Sequence, residues 1–172
     1  MIYPIILYGS NVLRKKADDI KKDEIDVKKL SDDMFETMEN ADGIGLAAPQ
    51  IGISKRIFVV DGTLLEDEQM KNFKKVFINP MIISETGEDW GFEEGCLSIP
   101  ETTASIKRAS YIKLLAADIQ GEKIEVEAEG LLSVCIQHEI DHLKGVLFID
   151  YLSRLKRDRI ARRILKAERE MS

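Results

Sequence analysis

Gly130-Leu131-Leu132-Ser133-Val134-Cys135-Ile136-Gln137-His138-Glu139-Ile140-Asp141-His142-Leu143-Lys144-Gly145 is the stretch on which the reading of this 172-residue chain turns. Leu131, Leu132, Val134, Cys135, Ile136, Ile140 and Leu143, continued by Val146, place apolar groups on nearly every side of a helix. That pattern belongs to a helix inside a core rather than on a surface. Gly130 and Gly145 punctuate its ends. Yet the segment also carries Glu139, Asp141 and both histidines of the chain, His138 and His142. Four apart on a helix, the histidines project from one face with Cβ atoms about 5–6 Å apart, so one ion can take a nitrogen from each. The order His-Glu-x-x-His then sets a carboxylate beside that ion, ready to handle protons. The same string arises on ordinary helices whose histidines are merely polar. Burial favours the metal, because unpaired buried polar groups cost about 1–3 kcal/mol each and a cation satisfies three at once.

Two imidazoles do not hold a catalytic metal alone, so a third donor is expected elsewhere. The chain has two cysteines. Cys135 shares the helix and lies about 10 Å along the axis from His142 at 1.5 Å per residue. Ligand bonds are only about 2.0–2.3 Å long, so Cys135 reads as a small buried hydrophobe lining a cavity. Cys96 sits in Glu93-Glu94-Gly95-Cys96-Leu97-Ser98-Ile99-Pro100, where glycine before it and proline after it force a loop or strand edge and permit close backbone approach. Taken alone it would be a plain buried thiol; the need for a third donor makes it the expected ligand. A Cys-His-His set leaves one position open for water, the pattern of a catalytic site, and a divalent ion brings the pKa of that water down to about 7. Hydrolysis of a carbonyl compound is the expected chemistry.

Three segments, Gly43-Ile44-Gly45-Leu46-Ala47-Ala48-Pro49-Gln50, Glu94-Gly95-Cys96-Leu97-Ser98 and Gln137-His138-Glu139-Ile140-Asp141-His142, occur in an order and at intervals that resemble the signature of the peptide deformylases. The resemblance implies an α+β fold in which antiparallel β-sheets surround a buried central helix carrying the HExxH motif, with a C-terminal helix. It also implies removal of the N-terminal formyl group from formyl-methionyl peptides. Cys96, His138 and His142 would hold the metal, and Glu139 would act as general base and then acid. The side-chain amide of Gln50 and the backbone N–H of Leu97 would donate to the formyl oxygen as it becomes negative, with Gly45 also counted among the catalytic residues. Gly43, Ile44, Gly45, Phe92, Glu94, Gly95, Leu131, Val134 and Cys135 would meet the substrate, the apolar ones walling a slot for methionine. Read without the family, Gly43 to Gln50 is only a glycine turn leading into a strand at Arg56 to Val60. Glu94 and Arg108 are expected, by the same resemblance, to form an ion pair bracing the Cys96 loop. One departure is Thr103, where some relatives have arginine, which removes the basis for a charged clamp on the peptide beyond methionine. A sulfur and two nitrogens suit Zn(II), Fe(II), Co(II) or Ni(II). Relatives commonly work with ferrous iron, which makes Fe2+ the expected ion in the cell.

Composition agrees with one catalytic domain over residues 1–172. Its 44% hydrophobic content supports a real core, and no repeat or long linker divides it. The apolar start Met1-Ile2-Tyr3-Pro4-Ile5-Ile6-Leu7 has neither a basic region nor a cleavage pattern, and no run approaches the ~20 apolar residues that cross a membrane. A cytoplasmic chain without a disulfide is expected, with no membrane and no DNA partner. Val27, Leu30, Met34 and Met38 repeat at helical intervals between Asp26 and Asn40. Strands are expected at Arg56 to Val60, Val76 to Ile83 around a proline-marked edge, Tyr111 to Asp118 and Lys123 to Glu127.

The tail from Ser153 to Ser172 predicts an amphipathic helix, about 153–170, with Leu155, Ile160, Ile164 and Leu165 on its apolar side. Eight lysines and arginines (Arg154, Lys156, Arg157, Arg159, Arg162, Arg163, Lys166, Arg169) face Asp158, Glu168 and Glu170 there, a balance of +5 in a chain of net charge −6. A solvated face is the plain reading. The sign asymmetry suits RNA phosphates, and relatives with such a tail are held at the ribosome, the expected partner. Two other functions remain open at this point. An HExxH metalloprotease would need Glu168 or Glu170 as third ligand. A non-catalytic RNA-binding module with a structural metal would need a fourth protein ligand.

Overall fold

The computed structural model describes residues 1–171, Met171 by its backbone only. Ser172, the last residue of the expected domain and tail, lies outside the described residues. Helix α1 (Val27–Asn40) starts where the Asp26 side chain accepts a hydrogen bond from the Lys29 backbone N–H and buries Leu30, Met34 and Met38 along one side. After it come strands β1 (Gly45–Ala47), β2 (Ile57–Asp61), β3 (Lys74–Cys96), β4 (Ile99–Ala117) and β5 (Lys123–Glu129), then α2 (Gly130–Leu143) and α3 (Arg154–Met171). Short 3-10 turns stand at Asn11–Arg14, Ala48–Ile51 and Phe148–Tyr151.

The strands follow one another in a single antiparallel sheet, β1-β2-β3-β4-β5, and α2 packs against all five. The expected α+β arrangement, antiparallel β structure around a buried helix, is therefore present, and its strands are continuous with one another. Register shifts in the β3–β4 ladder lie between Ile78 and Met81, Ile82 and Ser84, Thr86 and Asp89, and Gly95 and Cys96. Such bulges raise local twist and let a long hairpin bend. Pro80, which has no N–H to give a ladder, falls at the first of them.

Two strands run far beyond the expected bounds, and one was not expected. β3 continues from Ile83 to Cys96, and β4 begins at Ile99 rather than near Tyr111. Ser84 to Glu94 is polar and largely exposed, so it lacks the alternation that marks a half-buried strand. Pairing with β4 alone makes it extended. β1 has only three residues, too few for a periodicity to register.

Residues 132–134 and 136–143 of α2 are buried, as an apolar helix in a core requires. It ends in a Schellman arrangement: the Gly145 N–H reaches the His142 carbonyl, and the Val146 N–H reaches the Asp141 carbonyl at 2.9 Å. Gly145 adopts φ +79°, and a Cβ there would lie 2.5 Å from the Arg14 carbonyl oxygen, so only glycine fits. Of the apolar residues expected on α3, Ile160 and Ile164 pack on the cluster of Ile99, Ile106, Leu147, Phe148 and Ile149, whereas Leu155 and Leu165 are exposed. Ile160 and Ile164 are four apart and share one face; the other two are rotated off it.

Candidate metal centre

The donors come from two places far apart in sequence. α2 delivers His138 and His142 from one face, and the β3–β4 hairpin delivers Cys96 at the last residue of β3. His142 Nε2 stands 3.2 Å from His138 Nε2 and 3.3 Å from Cys96 Sγ. One ion with tetrahedral bonds of about 2.0–2.3 Å would set its donors about 3.3–3.6 Å apart. Those two spacings and the donor chemistry fit a divalent metal, and all three donor atoms lie within 4.8 Å of one another. Cys135 takes no part: it is a free thiol on the neighbouring wall, and burial pushes its pKa up to about 12.

Each histidine is prepared differently. Burial, reinforced by the charges of His138 and Arg108, holds His142 well below its ordinary pKa. Its ring is therefore neutral and keeps a lone pair for a metal. Burial also opposes a charge on His138, but hydrogen bonds to Cys96 and Glu94 outweigh it and raise that pKa to about 10. The centre is rich in negative charge, which a divalent cation answers. His138 Nδ1 lies 2.9 Å from Glu94 Oε1, the carboxylate–histidine pairing that orients a ligand ring and leaves Nε2 facing the ion. Glu94 is in turn gripped by Arg108, Nε to Oε2 at 2.5 Å and Nη2 to Oε1 at 2.9 Å. Burial raises the pKa of Glu94, but the His138 and Arg108 contacts prevail and hold it below the ordinary carboxylate value.

Glu139 is the acid–base candidate. Its Oε1 stands 3.9 Å from His138 Nε2, and its buried Oε2 has no hydrogen-bond partner among the described residues. Burial pushes its pKa up to about 7. A carboxylate poised there can both take and return a proton at neutral pH. Gly45 makes room for it: a Cβ on Gly45 would lie 3.1 Å from Glu139 Cδ and Oε1. That contact gives Gly45 a physical role that its place in a motif did not.

Gln50 is completely buried, and its orientation is fixed at both ends. Oε1 accepts the Ala47 N–H at 3.0 Å, so the amide nitrogen must face the other way. There it reaches Ser98 Oγ at 3.2 Å and Cys96 Sγ at 3.5 Å. Leu97 forms the hairpin turn after Cys96 and packs on Gly43, where a Cβ would meet Leu97 Cδ1 at 2.8 Å. Gly95 is less crowded, with nothing closer than 3.5 Å to a built Cβ.

All of this opens on a cavity of about 650 Å³. Gly43, Ile44, Gly45, Gln50, Phe92, Glu94, Gly95, Cys96, Leu97, Leu131, Val134, Cys135, His138 and Glu139 line it; His142 stands behind them, buried. Wall residues missed from sequence include Leu65, Ile99, Pro100 and Thr102. Leu65 comes from the loop between β2 and β3, and no motif marks it. Thr103, where a charged clamp was absent, also lines the cavity and donates to Glu93 at 2.9 Å. Glu168 lines a different cavity, between residues 7–10 and α3, so the protease ligand set does not form. Among the described residues, the group able to hold a metal is Cys96, His138 and His142, with no fourth protein ligand. No helix among the described residues is long and apolar enough to cross a membrane.

Residues 2–158 match the family model described as polypeptide deformylase. A peptide deformylase of Cytophaga hutchinsonii is 48% identical over 157 residues, which are 91% of this chain and 85% of that protein. The crystal structure of a peptide deformylase from Legionella pneumophila superposes with a TM-score of 0.89 at 40% identity, over 99% of this chain and 98% of that one. A class I type b peptide deformylase from Acinetobacter baumannii, crystallised with Met-Ala-Ser bound, matches with a TM-score of 0.81 at 31% identity, over 88% of this chain and 99% of the other.

Proposed function

Since this chain belongs to the peptide deformylase family and has that family's metallohydrolase activity, we propose that it strips the formyl group from formyl-methionyl peptides, using one divalent ion held by Cys96, His138 and His142. The observation that carries this reading is the convergence of one sulfur and two ring nitrogens on the wall of a cavity beside a buried, partner-poor carboxylate. A divalent ion held there supplies Lewis acidity and makes water nucleophilic near neutral pH. Ferrous iron is our choice for the cell, with Zn2+, Ni2+ and Co2+ as chemically acceptable substitutes.

The chain's own residues do the rest. Glu139 takes a proton from the attacking water and returns it to the amine nitrogen as the formyl C–N bond breaks, because an amide nitrogen leaves poorly until protonated. The Gln50 amide N–H and the Leu97 backbone N–H donate to the formyl oxygen as negative charge grows on it. Ile44, Phe92, Leu131, Val134 and Cys135 form the apolar side of the cavity that takes the methionine side chain. The relative with bound Met-Ala-Ser, a peptide beginning with methionine, supports that substrate class.

We read residues 1–172 as one catalytic domain working in the cytoplasm, with ribosomes as a partner through the basic face of α3. Anaerobic purification, elemental analysis and formate release from a formyl-methionyl tripeptide test the central reading together. One transition metal per chain and stoichiometric formate are expected; a metal-loaded protein that releases no formate would overturn it.

A further inference from the structure

We propose that Tyr151 is a positioning residue of the metal centre, acting on His138 through Asp141, Arg108 and Glu94; the inference rests on the ligand set above. Tyr151 ends the 3-10 turn Phe148–Tyr151 and belongs to none of the three motifs that carry the chemistry. Its hydroxyl donates to Asp141 Oδ2 at 2.8 Å, and the same oxygen accepts Arg108 Nη1 at 2.9 Å. Arg108 gives its other two nitrogens to Glu94, which holds His138 Nδ1. Its guanidinium carbon also sits 5.1 Å from the centre of the Tyr151 ring.

One buried guanidinium thus serves two buried carboxylates, Glu94 and Asp141, that compete for it. The phenol changes the competition without changing the charge. By giving Asp141 Oδ2 a second donor, it lets Arg108 keep both remaining nitrogens on Glu94, and that bidentate grip fixes the plane of the carboxylate against which the His138 ring is set. Packing alone does not account for Tyr151, whose residue surface is 54% exposed. Its hydroxyl is nonetheless turned inward onto a buried acid. The ring also lies against the guanidinium, where its face attracts the charge.

The test uses the full chain loaded with Co(II), comparing wild type with Tyr151→Phe, which keeps the ring and loses the donor, and Tyr151→Ala, which loses both. Direct partners of metal-binding histidines typically alter metal affinity by about 10- to 100-fold. Two contacts further out, Tyr151→Phe should release Co(II) to a chelator about 3- to 10-fold faster, with displaced visible absorption bands, and Tyr151→Ala faster still. The metal-free proteins should unfold at nearly the same temperature. Release and spectrum identical to wild type in Tyr151→Phe, while Glu94→Gln accelerates release, would overturn the inference and leave the ligand set standing. Equal destabilisation of the metal-free and loaded forms with unchanged release would reduce Tyr151 to a structural residue, and also overturn it. Unchanged cobalt binding in Cys96→Ser would instead refute the ligand set itself, and this inference with it.

Discussion

Gly45→Ala isolates the placement of the proton-handling carboxylate from everything else in the centre. The added methyl would stand 3.1 Å from Glu139 Cδ and Oε1 and 3.2 Å from Cγ, whereas carbon contacts settle at about 3.5–4.0 Å. Gly45 has no left-handed backbone angle, so alanine costs nothing in conformation and the whole effect falls on the contact. The carboxylate must retreat by about 0.4 Å to restore an ordinary contact. If a 1 Å misplacement costs about 100-fold in rate, 0.4 Å costs about 6-fold. The assay is formate release at saturating peptide, with metal content measured on the same samples. The expected result is kcat about 6-fold lower with full metal occupancy, and no further loss when Gly45→Ala is added to Glu139→Ala, since neighbours that act through one contact are not additive. A kcat within 1.5-fold of wild type, or an equal loss in the Glu139→Ala background, would refute the argument that Gly45 acts through Glu139.

Glu139→Ala alone should keep its metal and lose about 10²–10⁴-fold in kcat, read by single-turnover formate release. Cys96→Ser should fall well below one metal per chain by elemental analysis, because a neutral hydroxyl replaces a thiolate. Gln50→Ala should lower kcat by about 10²–10³-fold while metal content stays at one per chain, as expected for a lost oxyanion donor. Replacing exposed Arg159, Arg162 and Lys166 with glutamine should weaken ribosome binding and flatten its log–log salt dependence by about 2 units, measured by co-sedimentation across a salt series; an unchanged slope would remove α3 from that interface.

The central helix and its histidine pair were legible in the sequence because both depend on local spacing. Apolar groups on every side of 131–143 describe a buried helix, and four residues set two imidazoles on one face whatever surrounds them. Cys96 was reachable by chemistry, since a catalytic ion needs a third donor and the other cysteine was too far along the same helix. The long hairpin that carries Cys96 to those imidazoles was not legible. Residues 84–94 have no strand pattern of their own, and only pairing with β4 makes them extended. Leu65 and Thr102 belong to no motif, and only the folded chain brings them to the cavity. The same is true of the crowding of Gly45 against Glu139 and the reach of Tyr151 to Asp141. Periodicity is a property of neighbours in the chain, and it fixed the helix and its ligands. Contacts between residues 45 and 139, or 108 and 141, depend on how the sheet bends around that helix, and only the tertiary structure decides that.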